Sequence, residues 1–273
     1  MTSHQYQLLV IDIDGTLINS YGDVSAENRE ALALARSAGL RVALSTGRSL
    51  KSSRRFVREL PLDNYHIFFD GALVSSPDLS EEIYAQSIDK AVLRQMIDFA
   101  RSHGIDLELH STTHYFAERE TWSTDAHRRF FDSEPTMVDF AGLWERERII
   151  KGAIVITAPE EEARIRSLIS HFDANLCFSS VVTPTYPDVT FINILAPGTS
   201  KGKALKILAS HLGISLDDVA AVGDGHNDIS LLSTAGLAIA MGNAHDELKK
   251  VADHVTLDVE EHGLAAAIKR FLL

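Results

Sequence analysis

The chain has almost no cysteine: Cys177 is the single thiol in 273 residues. No intramolecular disulfide can form and no Cys-rich zinc site can be built, and a reducing, cytoplasmic home is the expectation. Positive charge is also short. Against 38 Asp and Glu stand 26 Lys and Arg, a formal net charge of −12. That field opposes docking on a phosphate polymer or an anionic leaflet, so neither nucleic acid nor a membrane surface is an expected partner. No stretch approaches the roughly 18 uninterrupted apolar residues of a membrane span. Met1 to Tyr6 show no basic start leading into an apolar run and a small-residue cleavage site, so no signal peptide is expected. Internal repeats and low-complexity tracts are missing as well.

What is there is the make-up of a folded protein, with 45% hydrophobic residues, 23% charged residues and a mean hydropathy of −0.01. The length suits one large domain or two modest ones. Gln7 to Ile13 is a short apolar run ending at Asp14-Gly15, the pattern of a buried strand that delivers its last residues to a loop. Ser25 is placed to N-cap a helix through Ala38, with Gly39 as its stop, and Leu40 to Ser45 is a second strand. The pattern returns after Ser200: a helix to Leu212 with Gly213 behind it, a strand Val219 to Val222, a helix Ile229 to Thr234 and a strand Leu237 to Met241. Both flanks therefore read as βα units, predicting an α/β protein with a Rossmann-like parallel-sheet core.

The middle breaks this rhythm. After a strand Tyr65 to Phe69, far more chain precedes Lys201 than one crossover needs, which predicts an inserted α+β domain. Its expected elements are a helix Lys90 to His103, strands at Ile105 to His110, Thr113 to Ala117 and Lys151 to Thr157, a helix from Pro159, and strands at Asn175 to Val182 and Val189 to Leu195. The expected division is 1–78 and 190–273 for the core and 79–189 for the insertion.

Asp12-Ile13-Asp14-Gly15 is the sharpest chemical feature. Positions i and i+2 of a strand share a face, and two carboxylates so close cost electrostatic energy unless a cation or proton is shared. Taken alone, the pattern also suits an Asx turn. Gly223-Asp224-Gly225-His226-Asn227-Asp228 supplies further acids at a second strand end, and ligands of open α/β sheets gather beyond such ends. Oxygen donors without a Cys cluster suit Mg²⁺ rather than zinc. The segment fails as a dinucleotide fingerprint, because Asp228 stands where the third glycine belongs. Ser45-Thr46-Gly47-Arg48 offers a hydroxyl and exposed amides ahead of a helix, where an anion can sit. Gly198-Thr199-Ser200-Lys201-Gly202-Lys203 puts a lysine at a helix start but lacks Walker A spacing.

Together these four pieces, with Met241-Gly242-Asn243-Ala244 near the end, resemble the haloacid dehalogenase superfamily of aspartate-based phosphotransferases, most closely Cof-type phosphatases with a large C2-type α/β cap. The resemblance spans the chain. It departs at Asp70-Gly71-Ala72, where many relatives have Asn-Gly, and at Glu261-His262-Gly263, where Glu-Asp-Gly is more usual; the first is expected at the substrate rim. It implies Asp12 as nucleophile and Asp14 as general acid and base. Mg²⁺ would be held by Asp12, the Asp14 backbone carbonyl, Asp224 and Asp228. Thr46, the Gly47 and Ile13 amides, Lys201 and Asn227 would clamp the phosphoryl oxygens, and the insertion would be a lid that selects the leaving group. The implied activity is Mg²⁺-dependent hydrolysis of small phosphorylated metabolites, sugar phosphates first and cofactor-type phosphates behind. The alternatives are a phosphomutase using the same aspartyl-phosphate and a non-catalytic phosphometabolite sensor. His226 is left outside the chemistry. His110 and His114 straddle a turn and are not expected to bind zinc, Trp122 and Trp144 are expected to pack, and Cys177 to be buried. No feature sets an oligomeric state.

Overall fold

The structure is a computed structural model that describes residues 6–60, 62, 64–131, 133–183 and 186–273. Most of the N-terminal stretch read for a signal peptide, Met1–Gln5, lies outside the described residues. In chain order the elements begin with β1 (Leu8–Ile11), α1 (Ala26–Ser37), β2 (Arg41–Leu44), α2 (Leu50–Glu59), β3 (His66–Phe68), β4 (Leu73–Ser75) and β5 (Glu82–Ala85). Then come α3 (Lys90–Ser102), β6 (Glu108–His110), β7 (Tyr115–Ala117), α4 (Trp122–Phe131), β8 (Thr136–Met137), α5 (Leu143–Arg146), β9 (Lys151–Ile156), α6 (Pro159–Phe172), β10 (Cys177–Thr183) and β11 (Tyr186–Leu195). The chain closes with α7 (Lys201–Leu212), β12 (Val219–Gly223), α8 (Ile229–Leu232), β13 (Leu237–Ala240), α9 (Asp246–Val251), β14 (His254–Val255) and α10 (Gly263–Phe271).

Two compact units divide this chain. One holds Met1–Arg48, Arg54–Tyr84 and Ser200–Leu273; the other holds Ser49–Ser53 and Ala85–Thr199. These limits differ from the 79 and 189 read from sequence, for two reasons of strand pairing. β5 completes a three-stranded sheet with β3 and β4, keeping the chain in the first unit through Tyr84. β11 stays paired with β9 as far as Leu195 opposite Lys151, keeping it in the second.

In the first unit, β1 is Leu-Leu-Val-Ile with every side chain buried, the near-continuous apolar run of a parallel strand covered on both faces. The sheet order is β14-β13-β12-β1-β2 and every pairing is parallel. α1 starts where the Ser25 side chain accepts from the Asn28 amide, and it buries Ala31, Leu32 and Ala35. The order reverses at β1: β2 lies on one side, and β12, β13 and β14 on the other. Such a reversal opens a crevice beyond the carboxyl ends of β2, β1 and β12.

The second unit is a six-stranded sheet, β10-β11-β9-β6-β7-β8, antiparallel except for β7 with β8. Its core joins Leu93, Met96 and Ile97 of α3 and Leu168 of α6 to Leu109, Ile154 and Ile194 of the sheet. Two expectations for single residues need correction. Cys177 is half-buried rather than buried, because it opens β10 beside β11. Trp122 is 41% exposed at the first turn of α4, whereas Trp144 packs against the second core with the Arg94 guanidinium 5.7 Å from its ring centroid. Among the described residues, no helix is long and apolar enough to cross a membrane.

Candidate active site

The parallel ladder runs past the ends of its strands. The Asp12 amide donates to the Val222 carbonyl (3.0 Å) and the Ser45 amide to the Ile11 carbonyl (2.8 Å), so the residues after β1, β2 and β12 emerge on one edge. The chain then turns tightly, with the amides of Leu17 and Ile18 both donating to the Ile13 carbonyl at 3.0 Å. Gly15 sits at φ +83° in this turn, and a Cβ there would fall 2.3 Å from Asp224 Oδ2. Asp224, just after β12, thus rests against the β1 turn, where Thr16 Oγ1 donates to its Oδ1 at 2.8 Å.

Lys201, the first residue of α7, is fully buried. Its Nζ donates to Asp12 Oδ1 and to Asp228 Oδ1, each at 2.6 Å. Burial opposes its charge, but the carboxylates of Asp12, Asp228 and Asp70 outweigh burial and raise its pKa. Asp12 is 5% exposed, and burial pushes its carboxyl well above the ordinary range despite Lys201, with Asp228, Asp224 and Asp14 adding to the rise. Burial and the neighbouring Asp228 carry Asp224 up to about 7. Asp228 accepts from the backbone amides of Asp224 (3.1 Å) and Gly225 (3.0 Å) through its second oxygen. Gly71 makes room for the start of α7. It stands at φ +99°, and a Cβ on it would lie 2.2 Å from the Ser200 carbonyl oxygen.

Asp14 points to a different partner. Arg48 grips it with both arms, Nε to Oδ2 at 2.8 Å and Nη2 to Oδ1 at 2.6 Å. Burial alone would raise the Asp14 pKa, yet the Arg48 charge and hydrogen bonds bring it below the usual value. Thr46 is fully buried, and its hydroxyl accepts from the Arg48 amide at 3.1 Å. Its carbonyl accepts from the Asp70 amide at 3.0 Å. Asp70 is 4% exposed, at φ 52°, and accepts from Asn227 Nδ2 at 2.8 Å. A Cβ on Gly47 would lie 2.9 Å from Asp70 Oδ1.

Of the residues expected from sequence, Asp12, Lys201, Asp224 and Asp228 meet directly. Thr46, Gly47 and Asn227 converge on Asp70, and Ile13 is buried in the turn. Asp70 is therefore an inner residue of the site and not one of its rim. His226 is exposed, with Nδ1 3.2 Å from Glu247 Oε2. Sequence reasoning gave no role to Arg48, Thr16 or Asn243. Asn243 donates to the Gly15 carbonyl at 2.9 Å, pinning the β1 turn from the loop after β13. The signal for Arg48 was its position two residues beyond a strand-end threonine; Thr16 and Asn243 carried none apart from their motifs.

The donor set suits a hard cation. Asp12, Asp224 and Asp228 each bring a carboxylate oxygen within 4.8 Å of the others. Two of these carboxyls are pushed upward, partly by the negative charge of their neighbours. Crowded oxygen donors of one sign fit a divalent ion such as Mg²⁺.

Residues 9–268 match the model of the haloacid dehalogenase-like hydrolases, and the chain belongs to that family, in its Cof-type branch. Phosphatase YwpJ of Bacillus subtilis is 30% identical over 97% of this chain and 100% of its own length. The 5-amino-6-(5-phospho-D-ribitylamino)uracil phosphatase YitU of the same organism is 28% identical over 97% of each chain. Among solved structures, the subclass IIB sugar phosphatase BT4131 superposes with a TM-score of 0.81 at 26% identity, covering 97% of this chain and 98% of its own. The protein is a phosphatase of this family.

Proposed function

We propose that the protein is a cytoplasmic, Mg²⁺-dependent phosphatase that hydrolyses small phosphorylated metabolites, sugar phosphates first, through a phosphoryl-Asp12 intermediate. The observation that carries this reading is the buried Lys201 held between Asp12 and Asp228, each at 2.6 Å. The ammonium fixes Asp12 by Oδ1, which leaves Oδ2 as the attacking atom. Attack forms the Asp12–phosphorus bond as the phosphorus–oxygen bond to the leaving group breaks, and the departing oxygen takes a proton from Asp14. Asp14 then removes a proton from water, the water oxygen adds to phosphorus, and the Asp12 carboxylate is returned. Arg48 favours the ionised form of Asp14, which suits the second step; in the first, its grip must loosen.

Asp12, Asp224 and Asp228 would hold Mg²⁺, together with the Asp14 carbonyl, supplying neutralisation of the transferring oxygens. Thr46, the Gly47 and Ile13 amides, and Lys201 would bind those oxygens from the protein side. Asn227 gives one N–H to Asp70, and its second remains for the phosphoryl group. The relatives named as a sugar phosphatase and a phosphoribitylamino-uracil phosphatase support a small phosphorylated metabolite as substrate.

The test is phosphate release from a panel of sugar, nucleotide and cofactor phosphates, with Mg²⁺ and with EDTA. Metal-dependent release that vanishes in Asp12→Asn is expected. Turnover retained by a folded Asp12→Asn protein would overturn the role of Asp12, and an isomerised phosphate ester without release would replace hydrolysis by a mutase reaction.

A further inference from the structure

A second group of metal-ligating side chains lies in the Ala85–Thr199 unit. Glu108 and His110 are two apart on β6 and so share a face, while Leu109 between them enters the opposite core. α4 brings His127 to the same face. Glu108, His110 and His127 each offer a ligand atom, and these atoms all lie within 4.8 Å of one another. The Glu108 side chain is 5% exposed. The Tyr115 hydroxyl donates to its Oε1 at 2.8 Å, but its Oε2 is buried with no hydrogen-bond partner among the described residues. His127 Nδ1 lies 3.7 Å from that oxygen and donates to the Ser123 carbonyl at 2.9 Å, the contact by which a metal-ligating histidine fixes its ring so that the other nitrogen can face an ion.

We propose that Glu108, His110 and His127 form a binding site for a divalent transition ion of the zinc class, separate from the Asp12, Asp224 and Asp228 cluster. Two imidazoles and one carboxylate are a donor set that zinc accepts with a fourth position left open. Tyr115 orients the carboxylate in the way that outer partners of metal ligands do, and its ring stacks on His110 with centroids 4.8 Å apart. Glu108 and Ser123 also border a cavity of about 330 Å³.

The experiment uses the full chain, stripped of metal and titrated with Co²⁺, whose ligand-field absorption in the visible reports low-coordinate nitrogen and oxygen sites. The background is Asp224→Asn, which disables the other acid cluster. One Co²⁺ per chain is expected to bind with a visible band and to be displaced by Zn²⁺. His127→Gln and Glu108→Gln should each weaken that binding at least about tenfold, and Tyr115→Phe should weaken it less. Far-UV circular dichroism and tryptophan fluorescence establish that each variant is folded, and Tyr115→Phe serves as the reading if the ligand variants do not fold. No stoichiometric visible band, or a band of unchanged affinity in the folded variants, overturns the proposal. Either result leaves the phosphatase reading standing, since that reading rests on different residues and is read by phosphate release.

Discussion

Replacing Lys201 with methionine keeps most of the side-chain volume and removes the charge together with its N–H donors. The site is fully buried, and Asp12 and Asp228 each lose a partner at 2.6 Å. Breaking a buried ion pair from one side costs about 3–5 kcal/mol, because the remaining carboxylate stays desolvated. With a urea dependence of roughly 3 kcal/mol per molar, the midpoint for the first unit should fall by roughly 1–1.7 M. The assay must watch the right part of the chain. Both tryptophans, Trp122 and Trp144, lie within Ala85–Thr199, so their fluorescence reports the second unit. The first unit is followed through hydrogen exchange at Val10 and Ala221, which are paired across β1 and β12, in EDTA to keep divalent ions out. Adding Asp228→Asn to the variant should restore part of the loss, with a coupling of roughly 0.5–3 kcal/mol, since an asparagine oxygen can still accept from the Asp224 and Gly225 amides. An unmoved midpoint for Lys201→Met, or a double variant no more stable than the single one, would refute the reasoning.

Asp14→Asn should slow hydrolysis by roughly 10²–10⁴-fold, most severely for poor leaving groups; equal losses on an aryl phosphate and a sugar phosphate would remove its role as proton donor. Arg48→Met frees the Asp14 carboxylate from its two-armed grip, and kcat should drop about 10²-fold from lost positioning, with a folded protein shown by circular dichroism; full activity would make the pair a structural ornament. Gly71→Ala places a methyl 2.2 Å from the Ser200 carbonyl at a positive φ, so thermal unfolding should show a destabilisation of about 1–3 kcal/mol, and an unchanged melting temperature would contradict the close approach.

The parallel core was readable because its strands are short apolar runs with acids, hydroxyls and glycines at their ends. Asp12, Thr46 and Asp224 follow those ends, so their convergence follows from sheet topology, and Lys201 joins them from the first turn of α7. The Asp14–Arg48 pair was hidden because it joins side chains of two separate loops, and a motif says which residues occur together but not which ones touch. Asp70 stood out as a departure in composition, while its burial depended on a left-handed backbone step that sequence periodicity does not encode. His262 takes a similar step, φ 59°, a conformation that both aspartate and histidine tolerate, so its replacement of the usual aspartate leaves the turn intact. In the second unit, the sequence pairs His110 with His114 by spacing but does not show which side chains neighbour His110. The hairpin between β6 and β7 sets Tyr115 opposite His110 and leaves His114 exposed beside Thr113. α4 was missed because Trp-Ser-Thr-Asp-Ala-His carries no clean apolar stripe.

The 189 residues that separate Asp12 from Lys201 also impose a timetable on biosynthesis. At roughly 5–20 residues per second, about 10–40 s pass between synthesis of the aspartate and of the lysine that neutralises it. For most of that interval β1, entirely apolar, has β2 but not β12 for a neighbour, and Ala85–Thr199 is completed only at its close. A ribosome-bound chain therefore carries an unpaired hydrophobic strand edge until its last quarter is made, and the nascent protein needs shielding most while the catalytic half-site is waiting for its other half.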